Sequence, residues 1–331
     1  MESLQRLRQY LWLFLLWFVV VGIGVIGSFW EYCQEKNLPV TVAPAAETLL
    51  TPEITLPALD SVATPPAYTA QSVWLYDRNS GSVLYEDNAH TATSVASLAK
   101  LMTALVSYEE FSLDDSVPIG TSAAALGNRA KFFSSDVFSV YDLLHAMLIF
   151  SANDAAEALS RAYPGDMDAF VQAMNARAAS LGLTNTQFSN PSGLDHSNQY
   201  STAADIGRIA NTVLEIPLLS QIVSQPVQQI REQRTGRIDT VYTTNALLYR
   251  HPRYRGMKTG TTEMAGESLV VRIVPPEDDI LLLGASPSAQ RESASYDLLL
   301  VILGSENRFD EAELLTEWAL ATLQLQNQEN F

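Results

Sequence analysis

Between Tyr10 and Trp30 no charged residue interrupts the chain, and Leu, Val, Phe and Trp fill most of the run. About 20 apolar residues is the length at which a helix spans the hydrocarbon core of a bilayer, so this stretch predicts a membrane helix and leaves the rest to fold elsewhere. A buried core helix is a poor alternative, because almost no polar residue marks a second face. Arg6 and Arg8 precede the run, while Glu31 and Glu35 follow it. By the positive-inside rule the N-terminus then stays in the cytoplasm and everything after residue 30 is exported. A cleavable signal segment has a shorter apolar core, about 7 to 15 residues, and an A-x-A-like site. Here the run is longer and no such site follows closely, which favours an uncleaved anchor. Cys33 is the one cysteine and is preceded by Trp30-Glu31-Tyr32, which is no lipobox; an exported domain here has no internal disulfide and rests on its core.

Pro39, Pro44, Pro52, Pro57, Pro65 and Pro66 punctuate the next stretch among Thr, Ala and Val. Proline at that density keeps a chain extended and semi-rigid, the behaviour of a spacer. The predicted organisation is a cytoplasmic N-terminus (1–9), a single-pass anchor (10–30), a linker (31–70), one folded domain (71–325) and a short tail (326–331). The hydrophobic content of 47% in 331 residues suits one good-sized core with room for a second lobe. A net charge of -17 and a pI near 4.5 argue against nucleic acid as a partner.

Within the domain, SVWLYDRNSGSVLYE reads as two β-rich runs around a turn at Asp77 to Gly81, a hairpin. Ala96 to Tyr108 is apolar with helical spacing and carries Ser97 in its first turn, where exposed N–H groups and the positive helix end favour developing negative charge. Residues 136 to 215 alternate amphipathic stretches with short turns, and a helical lobe is placed at about 109–238. Strand patterns return with GMKTGT, ESLVVRIV and DLLLVILG, and the last helical run is Asp310 to Leu323. The segment PPEDDILLLGASPSAQRESASY between the last two strands is longer than a turn, and an extra hairpin at about 275–295 is expected.

Three short motifs fall in order: SLAK at Ser97 to Lys100, SAN at Ser151 to Asn153, and KTG at Lys258 to Gly260. Residues i and i+3 at a helix start share a face, so Ser97 and Lys100 meet. A serine hydroxyl becomes a nucleophile when a neighbouring base takes its proton, and a lysine serves once desolvation and nearby cationic charge lower its pKa. Lys258 supplies such charge. S-x-x-K alone turns up by chance about once in a chain this long; the ordered set is far more specific.

The surrounding segments VASLAKLMTALV, YDLLHAMLIFSANDAAEAL, NPSGLDHSNQYST and GMKTGTTEMAGESLVV resemble the serine D-alanyl-D-alanine carboxypeptidases, the low-molecular-weight penicillin-binding proteins, from about Gln71 to Leu323. The resemblance implies an α+β fold of the penicillin-binding and serine β-lactamase type: an antiparallel sheet flanked by helices from both chain ends, with an inserted helical lobe. It implies Ser97 as nucleophile and Lys100 as its base. Ser151 would relay a proton to the leaving amine, and the Asn153 amide would hold Lys100 or the substrate. Lys258 would add positive potential, Thr259 would bind the substrate's terminal carboxylate, and Gly260 would allow close approach. The N–H groups of Ser97 and Thr261 would form the oxyanion hole, and Arg308 would grip the carboxylate, with Arg291 a competitor. The bland alternatives are a helix-start serine with a solvated lysine, a helix N-cap at Ser151 to Asn153, an ordinary turn at Lys258 and a surface arginine at 308.

Ala99 stands before the motif lysine where relatives carry threonine or a similar residue, Val95 replaces a usual proline, and Ser192 stands where many carry histidine. None of these removes a catalytic group. Neither a separate C-terminal β-domain nor an amphipathic C-terminal anchor is evident. His90, His145, His196 and His251 lack metal-ligand spacing, so no metal is implied, and no cofactor either. No carboxylate pair is picked out for glycoside hydrolysis. The expected partners are a peptidoglycan stem peptide ending in D-Ala-D-Ala, β-lactam antibiotics, and the cell membrane through the N-terminal helix, with the catalytic domain outside. The alternatives are a D,D-endopeptidase, a serine β-lactamase, or a silent wall-binding protein. No glutamate from Ser151 to Lys258 has asparagine four residues on, which disfavours the β-lactamase; the intact motif set argues against the silent protein.

Overall fold

The computed structural model describes residues 59–276 and 296–329. Ser72–Asp77 (β1) and Ser82–Asp87 (β2) form the predicted hairpin. A 3-10 turn, Ala96–Ala99, leads into α1 (Lys100–Glu110), followed by β3 (Ser116–Pro118), β4 (Val137–Ser139) and α2 (Val140–Ile149). Then come α3 (Asn153–Ala162), α4 (Asp166–Ser180), α5 (Ala203–Glu215), α6 (Pro217–Val223), β5 (Val227–Arg231), β6 (Ile238–Tyr242) and α7 (Leu247–Arg250). The chain closes with β7 (Tyr254–Thr262), β8 (Gly266–Ile273), β9 (Leu298–Ser305) and α8 (Arg308–Glu329).

Five strands make one antiparallel sheet in the order β2-β1-β9-β8-β7. β9 lies in the middle and its sequence is apolar almost throughout, because both its faces are covered. Alternation along the strand sends Leu299, Val301 and Leu303 to the core shared with the helical lobe. Leu298, Leu300 and Ile302 go to a second core with Ala312, Leu315 and Ala319 of α8. Fully burying each such side chain contributes roughly 1.5 to 3 kcal/mol. α1 is sandwiched in the larger core, so every residue from Lys100 to Ser107 is buried. That is why its sequence shows so little of a polar face. Local chemistry sets the other helix starts. Ser139 Oγ accepts the Asp142 N–H at 3.0 Å and Thr202 Oγ1 accepts that of Asp205 at 3.0 Å, while Pro217 opens α6.

Several expectations need correction. Ser97 lies in the 3-10 turn, and the α-helix begins at Lys100. The lobe carries two small hairpins, β3 with β4 and β5 with β6, that periodicity did not reveal. The last helix is longer at both ends than Asp310 to Leu323. Among the described residues no N-terminal α-helix accompanies α8 on the sheet; Leu59, from the turn Leu59–Ser61, joins that core instead. The anchor at 10–30, residues 31–58 of the linker and most of the expected hairpin at 275–295 lie outside the described residues, as does Arg291; the described end of the linker packs on the domain, with Leu59 and Ala70 buried in the second core. No helix among the described residues is long and apolar enough to cross a membrane.

Candidate active site

The cleft forms where the 3-10 turn meets the outer strand of the sheet. Ala96, just before the nucleophile candidate, has φ 48, a region that costs an alanine on the order of 1 kcal/mol or more. Its surroundings hold it there. Gly193, at φ 81, brings its backbone against the Ala96 carbonyl so closely that a Cβ would stand 1.9 Å from that oxygen. Asn190 fixes this loop by accepting the N–H groups of Gly193 (2.8 Å) and Leu194 (3.0 Å) on Oδ1.

Lys100 is fully buried. Its Nζ lies 2.9 Å from Ser97 Oγ and also donates to the Ser192 carbonyl. Burial lowers its ammonium from 10.5 to about 7, with the Asp154 charge opposing the fall. A large fraction of Lys100 is therefore neutral amine near neutral pH, beside the Ser97 hydroxyl. The solvated-lysine alternative does not survive this.

Ser151 adopts φ 65 and its Oγ accepts from Lys258 Nζ at 2.7 Å. Lys258 is buried as well, and its Nζ also donates to the Thr259 carbonyl at 2.9 Å. Burial lowers its ammonium well below the lysine range, and the charges of Lys100 and Arg308 push the same way. The helix-cap alternative fails: α3 starts after Ala152 with no side-chain cap. Asn153 departs from expectation. Its Nδ2 donates to the Leu126 carbonyl at 2.5 Å, its Oδ1 is buried without a hydrogen-bond partner, and the bonds of Lys100 go to Ser97 and Ser192 rather than to it.

Thr259 is buried, its hydroxyl 2.6 Å from that of Thr244. The exposed hydroxyl on β7 is that of Thr261, which accepts from Arg308 Nη1 at 2.5 Å; the same Nη1 donates to the Gly260 carbonyl at 2.8 Å. Arg308 thus stands beside the third motif, with Glu267 at 3.9 Å from its Nε. Gly260 packs against the nucleophile turn: a Cβ there would be 3.0 Å from the Ser97 backbone nitrogen.

All nine sequence-predicted residues therefore lie on elements that meet around one cleft. Sequence reasoning missed the Ser192 carbonyl, since a backbone acceptor leaves no side-chain signal. It also missed Asp195, which accepts from Ser94 Oγ (3.1 Å), Thr262 Oγ1 (2.6 Å) and the Met264 N–H (3.1 Å), tying the segment before Ser97 to the end of β7. No group of His, Cys, Asp and Glu suited to a metal ion occurs among the described residues. What the arrangement can do is activate one hydroxyl beside a second buried lysine and an arginine.

Residues 60–282 match the D-alanyl-D-alanine carboxypeptidase family. The chain is 34% identical over 239 residues to a D-alanyl-D-alanine endopeptidase of Pseudomonas aeruginosa, covering 71% of this chain and 75% of that one. It is 32% identical over 202 residues to the D-alanyl-D-alanine carboxypeptidase DacF of Bacillus subtilis, covering 59% of this chain but only 52% of the relative. Among solved structures, the Streptomyces K15 DD-transpeptidase superposes with a TM-score of 0.68 at 25% identity, covering 78% of this chain and 100% of that one.

Proposed function

We propose, since this chain belongs to the D-alanyl-D-alanine carboxypeptidase family of serine peptidases, that it removes the terminal D-alanine from peptidoglycan stem peptides through an acyl-enzyme. One observation carries the reading: a buried Lys100 with its ammonium lowered to about 7 lies 2.9 Å from Ser97 Oγ. Lys100 takes the Ser97 proton as Oγ attacks the carbonyl between the two D-alanines. The oxyanion gathers negative charge next to the Ser97 N–H and the β7 backbone, where fixed donors stabilise it most. Ser151, polarised by Lys258, passes its proton to the leaving amine and is refilled by the proton that Lys100 took from Ser97, so that the C–N bond breaks, D-alanine departs and Lys100 is neutral again. Water then attacks the ester carbonyl while giving a proton to Lys100, and Lys100 returns that proton to Ser97 Oγ as the ester C–O bond breaks. Arg308 and the Thr261 hydroxyl form the end of the cleft that suits a terminal carboxylate. The strained carbonyl of a penicillin, with its own carboxylate, would acylate the same serine.

The segment Tyr10 to Trp30 would hold the enzyme at the membrane, with the domain facing the wall. A second reading, D,D-endopeptidase, is favoured by one fact: the chain covers 75% of the Pseudomonas aeruginosa endopeptidase but about half of the Bacillus subtilis carboxypeptidase. Incubation with a free pentapeptide and, separately, with a cross-linked peptide dimer distinguishes the two. D-alanine released from the pentapeptide supports the carboxypeptidase. Dimer split to monomers with no D-alanine released replaces it with the endopeptidase, and inertness on both refutes a peptidase.

A further inference from the structure

The second motif is held by a loop that sequence reading did not connect to it. Asn153 donates its N–H to the Asn128 carbonyl at 2.8 Å and its Nδ2 to the Leu126 carbonyl at 2.5 Å. Asn128 Nδ2 returns a bond to the Phe150 carbonyl at 2.5 Å and lies 3.5 Å from that of Ser151. Residues 126–132 therefore wrap the turn that carries Ser151 and Asn153. Asp154 fixes the loop in its turn. Its carboxylate accepts the N–H groups of Ala130 (3.1 Å), Lys131 (3.0 Å) and Phe132 (3.4 Å), together with that of Ala155 (3.1 Å). Both oxygens are used, so an acceptor-only group is needed; asparagine would set an amino group against N–H donors. Those bonds also hold Lys131 at φ 65, a conformation lysine rarely adopts.

Asp154 is 0% exposed, and each of those bonds comes from a backbone N–H rather than from a cation. A carboxylate buried without an ion-pair partner is costly. Nearby, Lys100 and Lys258 are both buried, where burial disfavours their ammonium forms, and Arg308 adds positive charge from α8. We propose that Asp154 is the positioning residue of this cleft: it seats residues 126–132 around Ser151 and Asn153 and supplies the counter-charge to Lys100. The proposal rests on the peptidase reading above.

The charged groups around Lys100 are Asp154 on α3 and Lys258 on β7, with Arg308 beyond Lys258 and Glu157 coupled to Asp154 along α3. The Asp154 charge opposes the effect of burial on Lys100. Removing that charge therefore makes the base lose its proton at lower pH. A role confined to holding the loop predicts no such movement.

The test is the rate of acylation of the full chain by benzylpenicillin in a pH series that brackets 7, the value to which Lys100 is lowered. For Asp154→Asn the acid limb moves to lower pH and the plateau rate falls by about 10²-fold, the scale expected of a misplaced catalytic group. Asp154→Glu keeps the charge while displacing the loop, so its rate falls with the limb in place. Gly127→Ala does the same by another route, because its Cβ would stand 2.7 Å from Asn153 Nδ2 at φ 76. A limb that stays put or moves up in Asp154→Asn overturns the counter-charge role, and an undiminished rate in Gly127→Ala overturns the loop's role. Should Asp154→Asn be recovered unfolded, the other two variants decide: a moved limb in either assigns the pH effect to geometry and overturns the counter-charge. If the unaltered chain is not acylated at Ser97, the peptidase reading itself has failed.

Discussion

Lys100→Met should stabilise the fold while abolishing its chemistry, and its advantage should fall as pH rises. Lys100 is 0% exposed, and burial takes its ammonium from 10.5 to about 7. Each unit of that difference is worth about 1.4 kcal/mol, so holding Lys100 in the core costs the native state about 4 kcal/mol near neutral pH. Methionine fills much of the same space without charge. Against that gain, the Ser192 carbonyl and the Ser97 hydroxyl lose a partner, a cost of about 1 to 3 kcal/mol. The net stabilisation near neutral pH is then roughly 1 to 3 kcal/mol. The pH dependence isolates the charge. Above about 7 the unfolded chain binds more protons at this site than the native chain does, so the stability of the unaltered protein climbs with pH until the ordinary value of 10.5. The methionine variant lacks that climb. Its advantage shrinks by about 2 kcal/mol between roughly pH 7 and pH 9. Urea unfolding of both chains at the two pH values measures it. An advantage that stays constant, or grows toward alkaline pH, would refute the buried-lysine account.

Two further substitutions probe other parts of the cleft. Arg308→Met should lower kcat/KM by about 10- to 100-fold on a peptide with a free terminal carboxylate, the worth of one charged hydrogen bond, and have little effect on the same peptide amidated. Equal losses on both would show that Arg308 only braces Gly260 and Thr261. Gly193→Ala should cost at least about 2 kcal/mol, because its Cβ would meet the Ala96 carbonyl at 1.9 Å with φ at 81; thermal unfolding checks this, and an unchanged midpoint would mean the loop can withdraw from the nucleophile turn.

The parts of this molecule that were legible in sequence are those whose chemistry resides in side chains at fixed spacing. The three-residue spacing of Ser97 and Lys100 puts them on one face across the 3-10 turn and the first helical residue, and the structure brings Lys100 Nζ to 2.9 Å from Ser97 Oγ. The third motif places Lys258 near that pair, and its Nζ reaches Ser151 Oγ at 2.7 Å. The strands were legible for a similar reason: two-faced burial makes β9 apolar almost throughout, and the first hairpin alternates around a recognisable turn. What escaped was carried by backbone or by short pieces. The Ser192 carbonyl and the N–H groups of residues 130–132 have no residue-type signature, so neither the partner of Lys100 nor the loop on Asp154 was visible. The segment SAND precedes an alanine-rich helix and reads as a helix start; the Asp154 carboxylate does accept the Ala155 N–H, but it also pins a distant loop. The strands Ser116–Pro118 and Val137–Ser139 span three residues each, too few to show a period. The Thr259 hydroxyl was assigned to a substrate carboxylate, yet it is turned to Thr244 and the solvent-facing hydroxyl belongs to Thr261, a distinction that one-residue alternation on a strand makes only once its faces are known.

The most direct test of Ser97 as an activated nucleophile is the intact mass of the protein after exposure to benzylpenicillin, followed in time beside Ser97→Ala. The account predicts one lasting equivalent on the unaltered chain, mapping to the peptide that contains Ser97, and none on the variant. An adduct that persists in Ser97→Ala, or none on either chain, would contradict it, and a transient adduct with steady consumption of the antibiotic would point to a β-lactamase instead.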